Sequence, residues 1–180
     1  MKERSKTRYA ILGILTIESM NGYEIKKMID SSIAHFWNES FGQLYPTLKK
    51  LEQEGLIISE ANNDSKNSSI YSITNHGRDV LKNWLSLPSE NEIMRIEPLL
   101  KIFFGYNNSK EVTINHIKNL KKEYLTKIAV LSSIVLELEN MKKPGNAHLY
   151  PLLTAKYGIT AYEASVKWAD EALDILNNQI

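Results

Sequence analysis

Residues 42–57 read GQLYPTLKKLEQEGLI. Within this stretch Leu44, Leu48 and Leu51 recur at helical spacing, so they form one apolar stripe along a helix. Polar side chains, two adjacent lysines among them, populate the other faces. Gly55 follows the last apolar position, where glycine commonly ends a helix. The stretch therefore predicts an amphipathic helix that buries one face and presents a polar face to solvent.

The start of this helix is less regular than its end. Ser40 and Gln43 have the spacing of a capping box, which predicts a helix that begins near Phe41. Pro46 would then lie beyond the first turn, where its ring clashes with a backbone carbonyl. Either the first turn is distorted, or the regular helix begins later than Ser40 indicates.

Two further helices are predicted upstream of this stretch. Residues 7–17 are mostly apolar, which is typical of a buried helix, and Thr7 or Ser5 is placed to cap it. Asn21 predicts the start of a second helix, because Glu24 three residues later completes a capping box.

A β-hairpin and a fourth helix are predicted downstream. Residues 56–59 and 70–74 are short β-branched runs, separated by a polar tip rich in turn-forming residues. Thr74 is placed to cap a helix that ends before Pro88. The order helix, helix, turn, helix, hairpin is that of a winged helix-turn-helix, whose third helix fits the major groove of DNA. The same module used for protein contacts or for RNA is the alternative that this pattern leaves open.

The second half of the chain is predicted to be entirely helical. Helices are expected over residues 91–104, over 109–141 and from about residue 151 onward. We therefore predict a mainly α protein with two domains. A winged helix-turn-helix with a small two-stranded hairpin would occupy 1–88, and an all-α C-terminal domain would occupy 89–180.

The two long C-terminal helices each carry an apolar line. Its spacing alternates between three and four residues, which is close to a heptad seam. The lines could pack against each other within one chain, or leave apolar surface for a second subunit to cover. The residues predicted to take part in dimerisation are Leu120, Tyr124, Ile128, Leu131, Val135, Leu138, Tyr162, Val166 and Leu173.

The overall charge excludes a generally basic nucleic-acid binder. Lysine and arginine number 22 against 21 aspartates and glutamates, so the formal net charge is +1. The exception is the start of the chain, where Lys2, Arg4, Lys6 and Arg8 stand against Glu3 alone. That cluster is read equally well as the solvated start of a helix or as an arm that contacts phosphates.

Catalytic and metal-binding patterns are missing from the sequence. With no cysteine there is no disulfide framework and no thiolate metal site, and the four histidines lie far apart along the chain. No phosphate-binding loop or nucleophile-elbow motif occurs. We therefore predict a protein that is not an enzyme and has no metal or cofactor. Because no signal peptide and no apolar run of ~20 residues is present, we expect a cytoplasmic protein without a membrane partner.

Several motifs in combination resemble those of the PadR family of bacterial transcriptional regulators. They are YAILG (9–13), NGYEI (21–25), GQLYPTL (42–48), KKLEQEGL (49–56), YSIT (71–74) and the pair Gly77-Arg78. The segment EPLLKIFF (97–104) is similar to the opening of the helical dimerisation domain of larger members. The resemblance implies a homodimeric repressor that leaves its double-stranded operator DNA when an effector binds. For larger members it implies a small aromatic effector, such as a phenolic acid.

Eight residues are predicted to contact DNA: Lys6, Arg8, Gln43, Tyr45, Thr47, Lys49, Lys50 and Lys66. A glutamine can read an adenine edge, whereas lysine, tyrosine and threonine reach phosphates. The alternatives are that Gln43 is only the capping partner of Ser40, that Tyr45 packs against the fold, and that the lysine pair is a solvated helix face. Family members often have several basic residues in the wing, but here the tip has only Lys66, opposed by Asp64.

The function predicted from the sequence is a sequence-specific, dimeric DNA-binding repressor released by a small molecule. The alternative is a winged-helix module for protein–protein interaction without DNA binding. The effector-binding residues are left unassigned, because aromatic residues at helical spacing more often fill a core than line a pocket. The aromatic candidates are Phe103, Phe104, Tyr106, Tyr150, Tyr157, Tyr162 and Trp168.

Overall fold

The computed structural model describes residues 6–37, 41–61, 69–90, 95–141 and 146–179, in a chain that forms two compact units, 1–91 and 92–180. Ser5, Ser40 and Lys66 lie outside the described residues. The helices of the described ranges are α1 (Thr7–Ile14), α2 (Gly22–Ser32), α3 (Leu44–Gln53), α4 (Asn75–Leu85), α5 (Glu97–Phe103), α6 (Lys110–Asn140) and α7 (Leu149–Gln179). The strands are β1 (Met20–Asn21), β2 (Ile57–Ala61) and β3 (Ser69–Ile73). The prediction of a mainly α protein with a winged helix-turn-helix and long C-terminal helices is confirmed.

Helix α1 begins without a side-chain cap. Its N-cap is Lys6, which makes no capping hydrogen bond, so the prediction that Thr7 caps the helix is wrong. Thr7 is instead the first helical residue and is buried. The helix is also shorter than predicted, because it ends at Ile14 and the Thr16 hydroxyl donates to the Gly13 carbonyl at 2.6 Å.

Helix α2 begins with the predicted capping box. The Glu24 amide donates to Asn21 Oδ1 at 2.9 Å, and the Asn21 amide donates to Glu24 Oε2 at 2.9 Å. Two backbone donors at the helix start are thereby satisfied. The helix then buries Ile25 and Ile29 on one face.

The start of α3 resolves the conflict raised by Pro46. Phe41–Gln43 form a 3-10 turn, and the α-helix begins only at Leu44. Pro46 is therefore the third helical residue, within the first turn, where a missing amide hydrogen leaves no helical bond unmade. Of the two alternatives, the later start is correct.

The end of α3 is the predicted glycine termination. Gly55 has φ of 69°, a left-handed conformation that side chains disfavour. The Leu56 amide donates to the Leu51 carbonyl at 2.9 Å, and the Gly55 amide donates to the Glu52 carbonyl at 2.9 Å. This pair of bonds is the Schellman arrangement, and it turns the chain directly into β2.

The sheet has three antiparallel strands in the order β1-β3-β2. Strands β2 and β3 form the predicted hairpin, with Ser59 opposite Tyr71 at its centre. Strand β1 adds Met20 opposite Tyr71 on the other edge of β3. The predicted two-stranded hairpin thus has a third strand, which was missed because two residues are too few to show a strand period.

Helix α4 begins close against the end of the hairpin. The Gly77 amide donates to the Thr74 hydroxyl at 3.0 Å, as the predicted cap requires, and that hydroxyl donates to the Gly55 carbonyl at 2.8 Å. A Cβ on Gly77 would lie 2.1 Å from the carbonyl oxygen of Leu56. Glycine is therefore required where α4 crosses the turn that follows α3.

A single hydrophobic cluster fills the first unit. Its most deeply buried side chains are Ile11, Leu12, Ile25, Ile29, Leu48, Leu51 and Ile57, from α1, α2, α3 and β2. Because the apolar stripe of α3 is consumed by this core, the opposite face of the helix points to solvent.

The second unit is built around α6 and α7, of 31 residues each. They run antiparallel, since Lys121 pairs with Asp170 while Lys156 pairs with Glu139 at 2.7 Å. Helix α7 begins at Leu149, slightly before the predicted position, and is continuous to Gln179.

The predicted seam lies on the side of α6 that faces α7. Leu120 and Leu131 are buried, and the Tyr124 ring stacks on the Tyr162 ring with centroids 5.6 Å apart. The other seam residues are half-buried: Ile128, Val135, Leu138, Val166 and Leu173. The two apolar lines are therefore packed largely against each other within one chain.

Neither long helix has the character of a membrane span. In the ranges that the structure describes, no helix is both long and apolar enough to cross a bilayer.

Candidate nucleic-acid interface

The outer face of α3 is polar and open to solvent. Gln43, Tyr45, Lys49 and Lys50 are exposed, and Thr47 is half-buried. All five were predicted to contact DNA, and the fold brings them together on one helix and its first turn. This set is called the α3 face below. A helix of this kind presents the donors that major-groove and phosphate contacts require.

The two lysines of the α3 face carry charge that the described fold does not use. Lys49 and Lys50 form no ion pair and no hydrogen bond with any residue that the structure describes. The acids that follow them in sequence are engaged elsewhere, since Glu52 accepts from the Ser59 hydroxyl and Glu54 pairs with Arg8. Two positive charges are thus available for a polyanion.

Gln43 is the N-cap residue of α3, but its side chain makes no capping hydrogen bond. The side chain is exposed, at the end of the helix that a helix-turn-helix presents to base edges. Its alternative partner Ser40 lies outside the described residues.

Tyr45 both packs on the fold and remains accessible. A Cβ on Gly22 would lie 2.7 Å from Cε1 of Tyr45 and 3.0 Å from its hydroxyl oxygen, so the ring rests on the first residue of α2. The side chain is still 63% exposed. The packing sets the ring's position, and the exposure leaves its hydroxyl within reach of a ligand.

Tyr71 stands behind the α3 face, at the centre of the sheet. Burial raises the pKa of Tyr71 above its ordinary value of 10.0, and the Glu52 carboxylate and Tyr45 add to the rise. The phenol is therefore neutral at physiological pH, and β3 adds no negative charge beside the DNA-facing helix.

The basic start of the chain is engaged within the protein. Lys6 Nζ lies 2.9 Å from Glu90 Oε2. Arg8 is 6% exposed, and its guanidinium lies 2.5 Å from Glu54 Oε2. The structure thus contradicts the prediction that Arg8 is an open phosphate contact, because its charge is buried and compensated by an acid 46 residues away.

The sequence analysis missed a second basic surface, on α2. Tyr23 is 71% exposed, and Lys27 is exposed without an ion pair among the described residues, whereas Lys26 pairs with Asp30 at 2.5 Å. These side chains and Ser31 line a groove of about 380 Å³. The first helix of a helix-turn-helix crosses the DNA backbone, so Tyr23 and Lys27 are additional phosphate-contact candidates. The lysines on the polar face of a capped helix were the available signal.

Aromatic side chains of the second unit fall into two groups. Phe103, Phe104, Tyr106, Tyr150 and Tyr157 are exposed, and Tyr162 and Trp168 are half-buried. Lys127 Nζ lies 5.4 Å above the Tyr162 ring, which is already stacked between the long helices. Tyr162 is therefore a packing residue within the helical pair. In the described ranges no cluster of three acidic or histidine side chains could hold a metal ion.

Two family profiles match the two halves of the chain. Residues 11–83 match the transcriptional regulator PadR-like family, and residues 94–177 match the family named virulence activator alpha C-term. Together the two matches account for most of the 180 residues.

Individual relatives agree with these profiles. The negative transcriptional regulator PadR of Bacillus subtilis is 32% identical over 103 residues, which are 54% of this chain and about half, 55%, of that protein. Its crystal structure with operator DNA has 23% identity and a TM-score of 0.83 over 97% of this chain and 99% of that one, and it has also been solved with p-coumaric acid.

Two other solved structures are similar over almost their whole length. A PadR-like transcriptional regulator from Bacillus cereus has 29% identity and a TM-score of 0.79, over 97% of this chain and 98% of that one. The Vibrio cholerae virulence activator AphA has 27% identity and a TM-score of 0.75, over 96% of this chain and 99% of that one.

The profiles, the relatives and the fold agree with the resemblance that the sequence motifs carry. Because the family consists of regulators, they also confirm the prediction of a protein that is not an enzyme. The chain belongs to the PadR-like family of DNA-binding transcriptional regulators, with the virulence-activator type of C-terminal domain.

Proposed function

We propose that this protein is a homodimeric, sequence-specific repressor that binds operator DNA until a small aromatic effector releases it. The observation that best supports the DNA contact is the α3 face, where Lys49 and Lys50 are exposed and unpaired among the described residues. In a helix-turn-helix this helix enters the major groove. The protein would act in the cytoplasm, where bacterial DNA lies.

The proposed contacts divide by chemistry. Lys49 and Lys50 pair with phosphates, Tyr45 and Thr47 donate to phosphates, and Gln43 reads a base edge. Tyr23 and Lys27 of α2 add a backbone contact from the neighbouring helix. Arg8 has no place in this set, and the contacts of Lys6 and Lys66 stay predictions.

We assign DNA binding to residues 1–88 and dimerisation to residues 89–180. Since the α6–α7 seam is largely filled within one chain, its role in a dimer stays a prediction. Support for a second copy comes instead from apolar side chains left exposed in this unit, which usually mark an interaction surface. These include Leu99, Leu100, Phe103, Leu136, Leu153 and Ile175. A symmetric dimer would place two α3 faces on half-sites about one turn of DNA apart.

Repression and an aromatic effector are supported by relatives. The Bacillus subtilis relative is named a negative regulator and has been solved with p-coumaric acid. The Vibrio cholerae relative is named an activator, which favours activation as the second candidate role. A reporter gene under the upstream promoter distinguishes the two, because deletion of the regulator raises expression for a repressor and lowers it for an activator.

A gel-shift assay with the duplex upstream of the protein's own gene tests DNA binding. A shift at low salt is expected, because phosphate contacts are strongest there. No shift would count against this DNA as the operator and favour a winged helix used for protein contacts. Adding p-coumaric acid should release the bound DNA, whereas hexanoic acid, which has the carboxylate but no ring, should not. Equal effects of the two acids would contradict an aromatic effector.

Light scattering tests the homodimer separately. The expected mass is twice the 20.6 kDa of one chain. A stable monomer at micromolar concentration would contradict the proposed assembly.

A further inference from the structure

Arg8 is a buried cation in the first unit. Its side chain is 7% exposed and lies 2.5 Å from Glu54, whose side chain is 31% exposed. The Nε of Arg8 is also buried, without a hydrogen-bond partner among the described residues. Burying a charge is costly unless an opposite charge compensates it. The Glu54 carboxylate is therefore what allows the guanidinium to lie here.

The pair is located at the end of the helix that carries the α3 face. Glu54 is the C-cap residue of α3, and Arg8 is the second residue of α1. The C-terminal end of a helix carries partial negative charge, which disfavours a carboxylate and favours a cation. The guanidinium thus offsets the acid and the helix end together, and ties α3 to α1.

A second contact extends this link to α4. The guanidinium carbon of Arg8 lies 5.7 Å from the centre of the Tyr9 ring. That ring stacks on Trp84 of α4, with centroids 4.4 Å apart and planes within 4°. The end of α3 is therefore joined through two adjacent residues of α1 to a helix on the other side of the unit.

Core packing alone does not specify the direction of α3 as sharply. Leu48 and Leu51 bury the inner stripe of the helix, but hydrophobic burial is non-directional. A hydrogen-bonded ion pair has a preferred geometry, so it restrains the helix end in a way that apolar contacts do not.

We propose that the Arg8–Glu54 ion pair is a positioning device for α3. It fixes the direction of the DNA-contacting helix relative to α1 and α4, and Arg8 itself does not touch DNA. This inference rests on the proposed contact between the α3 face and DNA. It gives Arg8 a role different from the phosphate contact expected from the sequence.

Hydrogen exchange of the free protein tests the positioning without DNA. Arg8→Met keeps an unbranched side chain but removes the charge, and should speed amide exchange in residues 51–56 about tenfold while leaving α6 and α7 unchanged. Lys26→Met is the matched control, because it breaks an exposed pair with Asp30 at the same 2.5 Å distance. Unchanged exchange in residues 51–56 would overturn the proposal. If Arg8→Met does not fold, Arg8→Lys, which keeps the charge but loses the guanidinium fork, replaces it with the same expected direction.

DNA affinity then separates positioning from direct contact. On the upstream duplex, Arg8→Met should bind about tenfold more weakly at fixed salt, with the salt slope of the wild type. A lost phosphate contact would instead lower that slope by about 0.9. Glu54→Gln should weaken binding as well, and the double variant should be no weaker than the weaker single variant, since the two residues act as a pair.

Each remaining outcome has a distinct reading. A lower slope in Arg8→Met, wild-type affinity in that variant, or additive losses in the double variant would overturn the positioning role. A wild type that does not bind the duplex refutes the proposed function for that DNA, while the exchange experiment still decides the positioning role.

Discussion

Replacing Lys49 by alanine should weaken DNA binding and reduce its dependence on salt. The side chain is exposed on α3 and has no partner among the described residues, so its loss should not disturb the fold. Surface substitutions of this kind change the free energy of unfolding by no more than about 0.5 kcal/mol. The expected effect is therefore on binding alone.

The magnitude follows from the number of phosphate contacts. In a symmetric dimer both copies of α3 lose one contact, and each contact contributes about 0.9 to the slope of log affinity against log salt. The slope should therefore decrease by about 1.8. Between about 50 and 200 mM salt, the variant should lose roughly twelvefold less affinity than the wild type. Replacing Lys50 as well should double the change in slope, to about 3.6.

Fluorescence anisotropy with labelled upstream duplex at several salt concentrations measures this slope. Lys118→Ala is the control, because Lys118 is exposed on α6 in the second unit and should leave the slope unchanged. An unchanged slope in Lys49→Ala would refute the phosphate contact. A decrease of only about 0.9 would mean that one copy of α3 contacts DNA, contrary to a symmetric dimer.

Three further changes test the fold around the site. Gly77→Ala should lower the free energy of unfolding by about 1–3 kcal/mol, since its Cβ would meet the Leu56 carbonyl at 2.1 Å, and an unchanged midpoint in denaturant would contradict that close approach. Gly22→Ala meets only the exposed Tyr45 ring, which can rotate, so stability should stay within about 0.5 kcal/mol while DNA binding weakens; equal binding would remove Tyr45 from the interface. The raised pKa of Tyr71 means that the folded state favours the neutral phenol, so this contribution is present below pH 10 and is lost as pH rises past it. Thermal unfolding from pH 9 to 11 should show a shallower loss in Tyr71→Phe than in the wild type, and identical losses would contradict it.

Much of the first unit was predictable because its signals are local. The capping box of Asn21, the cap at Thr74 and the termination at Gly55 each depend on bonds to residues a few positions away. Strand β1 was not predictable, because two residues become a strand only when β3 lies beside them.

Charge was less predictable than shape. The basic start suggested a phosphate contact by Arg8, yet its partner Glu54 is 46 residues away and no sequence spacing connects them. Lys49 looked no different from Arg8 in the sequence. The structure separates them, because one side chain lies inside the first unit and the other on its surface.

The helical half shows the same division. The spacing of Leu120, Tyr124 and Leu131 predicts an apolar face but does not name its partner, and the structure packs that face largely against α7 of the same chain. Periodicity and capping, which act within a few residues, were enough to establish the element order, the fold class and the polar outer face of α3. The fate of each charge and of each apolar stripe was decided by tertiary packing. That packing brings distant residues together, and it alone determines which of them are buried, paired or left free to bind.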